Sequence, residues 1–190
     1  MGNCKLTKGL GGKKCEYVLS GVRETFLANY YPPANGDAAV DGAIAYKFGT
    51  DGDIEGIFLP EGESFFPIKG ADNTTSYADA LLVGGNGGKY RQHTLNTVIE
   101  QDDVDTINEG DALSLGRFIA VVVTVNGSIK VLGRTGGLSA PAGGFDYASG
   151  AAEADATGWT TILQGASTEI APFVKDRSVI TPIYKETITE

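Results

Sequence analysis

The sequence has few of the residues that enzymes use most often for catalysis and metal binding. Its 190 residues include one histidine, two cysteines and one tryptophan. Nucleophilic catalysis needs a base near a serine or cysteine, and the single candidate, His93, lies in a polar stretch typical of a surface strand. A structural zinc site needs about four ligands, more than Cys4, Cys15 and His93 supply. We therefore predict no catalytic residue, no metal site and no cofactor.

Basic residues are also scarce, since 15 Lys and Arg stand against 24 Asp and Glu. The charge is uneven: residues 1–25 carry a net charge of +3, whereas the rest of the chain carries −12. Binding to nucleic acid phosphates depends on Lys and Arg, so we do not expect the acidic body to bind DNA. No apolar run approaches the roughly 20 residues of a membrane helix, and residues 1–16 lack the apolar core of a signal peptide. We expect a protein made in the cytoplasm with no membrane partner.

Glycine, by contrast, is abundant, with 27 residues in 190, about twice the usual share. Glycine is costly to order, so this content indicates many turns between short strands. The sequence predicts a mainly β fold, a sandwich or barrel. Residues 1–16, rich in Gly and Lys, form an extended N-terminal arm, residues 17–174 form one β-rich domain, and residues 175–190 form a C-terminal tail. The alternation of the tail is typical of a strand added to an edge of this copy or another.

The stretch 117–134 carries the strongest structural signal. Two β-prone runs, 118–125 and 128–133, flank Asn126 and Gly127, and Asn-Gly between such runs predicts a hairpin with a type I′ turn. The first run is almost wholly apolar, so both of its faces must be covered, by its own chain or by another copy.

Other stretches predict further strands and one helix. Residues 100–115 predict a flanking α-helix, at about 101–115, because Val104, Ile107, Ala112 and Leu115 approximate helical spacing and early aspartates suit a helix N-terminus. Trp159 lies in an apolar context typical of a core strand. The predicted strands, besides the hairpin, lie within 17–31 and at 43–48, 54–59, 65–68, 74–83, 89–99 and 158–166.

Four segments carry a resemblance to a known family. They are GVRETFLANY at 21–30, FFPI at 65–68 before 74–80, the series from Asn126 to Leu138, and DATGWTTILQG at 155–165. In order and character they resemble the major tail tube proteins of tailed bacteriophages, in particular the short tube-like virion proteins of phages of Bacteroidetes-type hosts. The resemblance covers most of residues 20–174.

The resemblance implies a self-assembling virion protein. In this family a β-sandwich or barrel with a flanking helix joins its sheets into hexameric rings, and the rings stack into a tube. Loops and terminal arms connect successive rings, and an acidic lumen lets DNA pass without specific binding. We therefore expect a tail tube subunit, located in the virion, whose partners are its own copies and other virion proteins.

The resemblance also implies which residues form each surface. Sheet contacts between subunits are expected on the central hairpin and on 74–99, at Phe118, Ile119, Val121, Val123, Val125, Ile129, Val131, Tyr90 and Leu95. Ring-to-ring contacts are expected on the arm, on the 136–150 loop and on the tail, at Leu6, Leu10, Lys13, Lys14, Phe145, Tyr147, Ile180 and Ile183. The acidic lumen candidates are Asp51, Asp53, Glu55, Asp102, Asp103 and Asp105.

Two other functions remain open on sequence alone. A capsid decoration or head-associated protein is also β-rich and acidic, but it binds a preformed lattice instead of forming tubes. A secreted carbohydrate-binding or hydrolytic β-sandwich is the second alternative. Against it stand the missing signal peptide, the single tryptophan and the lack of a paired acidic motif.

Overall fold

The computed structural model describes residues 19–151 and 157–180. In these residues it contains twelve β-strands, one α-helix and one 3₁₀ turn, which confirms the expected mainly β fold with a single helix. The predictions about the arm at 1–16, about Cys4 and Cys15, and about the tail beyond residue 180 lie outside the described residues.

The strands form two sheets. The large sheet has eight strands in the order β2-β3-β4-β12-β9-β8-β1-β5, and the small sheet has four in the order β10-β11-β7-β6. Helix α1 follows β7 in the chain, and the 3₁₀ turn follows β12. The elements are β1 (Val22–Asn29), β2 (Pro33–Asn35), β3 (Ile44–Phe48), β4 (Ile54–Phe58), β5 (Phe66–Ile68), β6 (Ser76–Val83), β7 (Lys89–Ile99), α1 (Val104–Leu115), β8 (Phe118–Thr124), β9 (Ile129–Leu132), β10 (Phe145–Ala148), β11 (Gly158–Ser167), β12 (Phe173–Val174) and the 3₁₀ turn Arg177–Val179.

Strand β8 is buried on both faces, as its composition requires. It lies between β9 and β1. Ile119 and Val121 point into a core made only by the large sheet and its connections, whereas Ala120 and Val122 point into a second core shared with the small sheet, where Leu163 packs. Each large apolar side chain removed from water in this way contributes about 1.5–3 kcal/mol. The chain itself supplies the cover that β8 needs.

The β8–β9 hairpin forms as predicted, but its turn is of another type. The N–H of Thr124 donates to the Ser128 carbonyl at 2.8 Å, and the N–H of Gly127 donates to the Thr124 carbonyl at 3.0 Å. Gly127 has a φ of +86°, whereas Asn126 is not in the left-handed region. The prediction of a type I′ turn is therefore wrong, and the loop is a type I turn closed by a left-handed glycine. Val125 joins the loop because its N–H donates to Gly21 outside the hairpin, at 3.1 Å.

A sharp connection after β9 joins the two sheets. Leu138 exchanges backbone hydrogen bonds with Phe118 of β8 at 2.9 and 2.7 Å, and the next residue, Ser139, exchanges two with Gln164 of β11 at 2.9 Å. The backbones approach so closely here that a Cβ on Gly165 would lie 1.9 Å from the Gly137 carbonyl oxygen. We call residues 137–139 the sheet junction.

Helix α1 begins after Asp103, whose carboxylate accepts the Thr106 N–H at 2.8 Å. The apolar residues whose spacing predicted this helix do not pack inward, because Val104 is 71% and Leu115 is 88% exposed. The helix instead buries Gly110 and Leu113. A glycine is required at position 110 because a Cβ there would lie 2.3 Å from the Phe145 ring. The helix packs through its smallest residue, so the apolar spacing pointed to the wrong side.

Candidate assembly surfaces

Most of the side chains predicted to join subunits lie inside a single chain. Both neighbours of β8 are strands of the same molecule, so its backbone is not open to a second copy. The apolar pattern showed that these side chains must be buried, but it did not show whether the same chain or another copy buries them. For the buried residues, the predicted contact between subunits is therefore corrected to a contact within one chain. The buried members are Phe118, Ile119, Val121, Val123, Ile129, Val131 and Leu95, whereas Val125 and Tyr90 are each 38% exposed.

Among the strands of residues 19–151 and 157–180, β6 lies outermost in the small sheet and has an open edge. This strand has eight residues, whereas the other outermost strands of the two sheets have three or four. Gly84, directly after β6, donates its N–H to the Gly88 carbonyl at 2.8 Å. Because ladder bonds alternate along an antiparallel strand, the backbone groups of Tyr77, Leu81 and Val83 point toward the open side.

The outer face of the small sheet is uncharged across β6, β7 and β11. The strand register places even-numbered residues of these strands on this face, opposite Leu95 and Leu163 in the core. Charged residues are depleted in the centres of protein interfaces, so this composition is typical of a surface that another protein covers. We call this surface the uncharged face; its members are Ser76, Ala78, Ala80, Leu82, Tyr90, Gln92, Thr94, Asn96, Val98, Thr160, Ile162, Gln164 and Ala166, all exposed or half-buried.

A shallow depression lies at one side of the uncharged face. Its volume is about 310 Å³, and its lining includes Tyr90, Ser139 and Pro141. The amide of Gln92 donates to the Gln164 side chain at 2.8 Å across neighbouring strands. The face therefore offers amide and hydroxyl groups, which suit hydrogen bonding to another polypeptide.

Asp79 fixes the open strand to the rest of the fold. Its carboxylate accepts the Arg91 guanidinium at 2.7 Å and the Ala171 N–H at 3.0 Å. Burial alone would raise the pKa of Asp79, but these hydrogen bonds and the nearby positive charge lower the pKa below its usual value. The edge of β6 is thus held to the connection between β11 and β12.

His93 is fully buried, so the prediction of a surface histidine is wrong. Its Nδ1 accepts the Gly133 N–H at 3.1 Å, and its Nε2 lies 3.2 Å from the Glu169 carbonyl oxygen. A neutral ring protonated on Nε2 satisfies both partners, and burial lowers the pKa of His93. The polar neighbours of His93 in the sequence concealed its burial because they face the other side of β7. These two contacts connect His93 to the chain at Gly133 and at Glu169.

The predicted lumen acids fall into two separate groups. Asp51 and Asp53 lie in the turn between β3 and β4 of the large sheet, and Glu55 lies near the start of β4. The Glu55 carboxylate accepts a hydrogen bond from the Lys175 ammonium at 2.7 Å, and this contact lowers the pKa of Glu55. Asp102, Asp103 and Asp105 lie at the start of α1, where Asp103 caps the helix and the Trp159 indole donates to Asp102 at 3.2 Å. Several of these acids therefore have local structural partners.

Three of the eight residues predicted to join successive rings lie in the described part of the chain. Ile180 is 2% exposed and packs in the core of the large sheet, which corrects its assignment as a contact: the capped 3₁₀ turn before it directs its side chain inward. Phe145 stacks on Trp159 with ring centroids 4.6 Å apart, and Tyr147 is 42% exposed. Trp159 is half-buried instead of fully in the core. The remaining members, Leu6, Leu10, Lys13, Lys14 and Ile183, lie outside the described residues.

The sequence contains one signal that would have located the uncharged face. Along 76–82 and 90–98, every second residue lacks a charge, while the opposite parity contains Asp79 and Arg91. This alternation resembles an ordinary half-solvated strand until the register shows which parity faces the core. The missed surface is therefore visible in the sequence but can be identified only from the register.

The chain matches no family model and no curated protein. Among residues 19–151 and 157–180, no group of three or more His, Cys, Asp and Glu side chains is arranged to hold a metal ion. The same residues include no helix with the length and apolar character needed to span a bilayer.

Proposed function

We propose that this protein is a structural subunit that assembles with copies of itself through the open edge of β6 and the uncharged face beside it. The observation that carries the proposal is the combination of the two surfaces on one small sheet. A long open edge is an aggregation hazard unless another strand covers it, and natural edges usually carry charges that prevent pairing. Of the edge residues of β6, only Asp79 is charged, and its carboxylate is directed into the fold.

The more specific form of the proposal is a tail tube subunit of a phage virion. Support comes from the family resemblance of residues 20–174 and from the net charge of −9. An acidic wall does not retain DNA, because affinity for phosphates depends on Lys and Arg. In a closed ring each subunit presents one surface to a different surface of the next, so no edge is left open.

The test compares the same substitution at two exposed alanines. Ala78→Glu places a charge on the uncharged face, whereas Ala38→Glu places it in the exposed loop between β2 and β3. We expect the unmodified protein and Ala38→Glu to form rings or tubes in negative-stain micrographs, with matching masses by light scattering. We expect Ala78→Glu to remain monomeric, with the melting temperature that the unmodified chain has at concentrations too low for assembly, because assembly itself raises the melting temperature.

The outcomes separate the general proposal from the specific one. An unmodified chain that stays monomeric across a concentration series would overturn self-assembly. Closed oligomers that never stack, and that bind empty phage heads, would retain self-assembly and overturn the tail tube assignment in favour of a decoration protein. A polymer unaffected by Ala78→Glu would remove the uncharged face from the interface.

A further inference from the structure

The end of the β6–β7 hairpin is apolar and exposed. Residues 81–91, here called the hairpin tip, include Leu81 at 55% exposure, Val83 at 62% and Tyr90 at 38%. The turn between the strands, 84–88, contains four glycines and Asn86. The tip contains Lys89 and Arg91 and no acidic residue. Because the Arg91 guanidinium is already paired with the Asp79 carboxylate at 2.7 Å, the positive charge that the tip can offer a partner is that of Lys89, next to the exposed Leu81 and Val83.

A second exposed apolar surface lies on α1. Val104, Ile107 and Leu115 are 71%, 51% and 88% exposed, and we call this surface the helix outer face. Residues spaced by three, four or eleven positions share one side of a helix, so Asp111 lies between Ile107 and Leu115 on that side. Residues 100–115 contain six acidic residues and no basic residue.

We propose that the hairpin tip of one copy packs on the helix outer face of the next copy. The Lys89 ammonium is opposite in charge to the acidic helix, and each surface presents large apolar side chains that are exposed in the described part of the chain. Exposed apolar clusters rimmed by charge mark interaction sites, and charge complementarity fixes which surfaces meet. This inference rests on the proposed self-assembly and names a pair of surfaces within it.

The pairing is heterologous, because two different surfaces of the same molecule meet. A contact of this kind repeats from copy to copy and forms a ring when the rotation closes or a filament when it does not. The hairpin tip is continuous with the β6 edge, so both contacts lie on the same side of the small sheet. The helix outer face is then the surface that receives the neighbouring subunit.

Cross-linking between single-cysteine variants tests the contact directly. In a background in which Cys4 and Cys15 are replaced by serine, one preparation carries Val83→Cys and the other Leu115→Cys. Under mild oxidation we expect the mixture to form a disulfide-linked pair containing one chain of each kind. The matched control replaces Leu115→Cys with Val40→Cys, on a residue that is 44% exposed and belongs to neither surface.

Charge exchange provides a second measurement. Lys89→Glu and Asp111→Lys each place like charges in the contact, and we expect each variant to associate at least about fivefold more weakly than the unmodified chain. When both changes are present in one chain, opposite charges face each other again, so we expect association to recover. Light scattering and a melting curve for each variant separate weaker association from loss of folding.

The results distinguish failure of the pairing from failure of self-assembly. If the chain assembles but Val83→Cys links no better to Leu115→Cys than to Val40→Cys, and the charge exchange does not restore association, the pairing is overturned while the proposed function stands. If the unmodified chain does not assemble, the proposed function and this pairing both fail. Preferential linking together with recovery in the double variant supports the pairing.

Discussion

The two sheets differ in how far their faces are buried. In the large sheet, side chains on both faces of β8 are covered, with Ile119 in one core and Ala120 in the other. In the small sheet, one face packs on the shared core through Leu95 and Leu163, whereas the other face is exposed or half-buried and carries no charge across β6, β7 and β11. In the described residues, the large sheet covers both faces of β8, whereas the small sheet leaves one face exposed.

This difference shows that apolar content and availability for assembly are separate properties. The run 118–125 is the most apolar of the sequence, and strand β8 within it is buried on both faces. The uncharged face that we propose for assembly contains Ala, Thr, Ser and Gln instead, which are tolerated in water and can also pack against another protein. A search for interfaces in β proteins should therefore look for missing charge as well as for apolar residues.

The largest expected effect concerns the large sheet, in which both faces of β8 are covered. Ile119→Ala empties a fully buried position of the large sheet and should lower the free energy of unfolding by about 4 kcal/mol, from lost transfer energy and the cavity. Ile107→Ala, on the exposed side of α1, is the control and should change it by less than about 0.5 kcal/mol. Chemical denaturation measures both, and equal losses would contradict the burial described here.

The sheet junction gives the next largest effect. Gly165→Ala places a methyl group against the Gly137 carbonyl oxygen, so the backbones must separate at the point where the sheets join. We expect a loss of about 3 kcal/mol in unfolding free energy. Gly85→Ala in the hairpin turn meets no atom within 4 Å and serves as the control. A stable Gly165→Ala protein would show that the junction tolerates a wider spacing.

The buried His93 predicts a dependence of stability on pH. Its pKa is lowered in the folded state by burial, so below pH 6.5 the unfolded chain takes up a proton that the folded chain resists. Stability is therefore fully present above about pH 6.5 and falls as the pH decreases, by at most about 1.4 kcal/mol per pH unit for one proton. The charged groups around the ring are Asp79, Arg91 and Glu169.

Denaturation at pH 7.5, 6.5 and 5.5 measures this effect, because a difference of one bound proton changes the free energy of unfolding measurably over ~1 pH unit. His93→Gln retains hydrogen-bonding capacity without a titrating ring, and we expect it to lose the pH dependence across this range. The lowered pKa of Asp79 places its own contribution at lower pH, because its stabilisation is lost only as the pH falls below about 3.9. Equal stability of the unmodified protein at all three pH values would contradict a neutral, buried ring.

The smallest expected effect on folding concerns the uncharged face of the small sheet. Thr94→Lys adds a charge at the middle of the uncharged face, opposite Ala78 and Gln164 in the register. In the isolated subunit this position is half-buried at the surface, and we expect a change in unfolding free energy within about 0.5 kcal/mol. A large loss of stability would show that another part of the same chain covers this face.

The sequence was sufficient to predict nine of the twelve described strands, the β8–β9 hairpin and the single helix, because alternation, Asn-Gly and early aspartates act locally, but it missed the short strands β2, β10 and β12. It failed where a distant element decides the outcome. The side of α1 that packs depends on the Phe145 ring that approaches Gly110, and the burial of His93 depends on the N–H of Gly133 and the carbonyl of Glu169. Neither contact leaves a local pattern in the chain.

The candidate surfaces show the same division. The open edge of β6 is a property of strand order, which pairs β7 with β11 on one side and with β6 on the other. No residue type within 76–83 indicates that this strand is the outermost one of its sheet. The acidic composition and the family resemblance indicated assembly, whereas the location of the joining surface required the register between β6, β7 and β11.

The sheet junction also has a mechanical consequence. Leu138 is bonded to β8 and Ser139, its neighbour, is bonded to β11, so a pull on the small sheet is transmitted along the backbone to the central strand of the large sheet. If neighbouring subunits bind the small sheet, tension passes into β8, which is hydrogen-bonded to a strand on each side, instead of separating the two sheets. A wall made of such subunits would resist stretching through main-chain connections and not through side-chain packing alone.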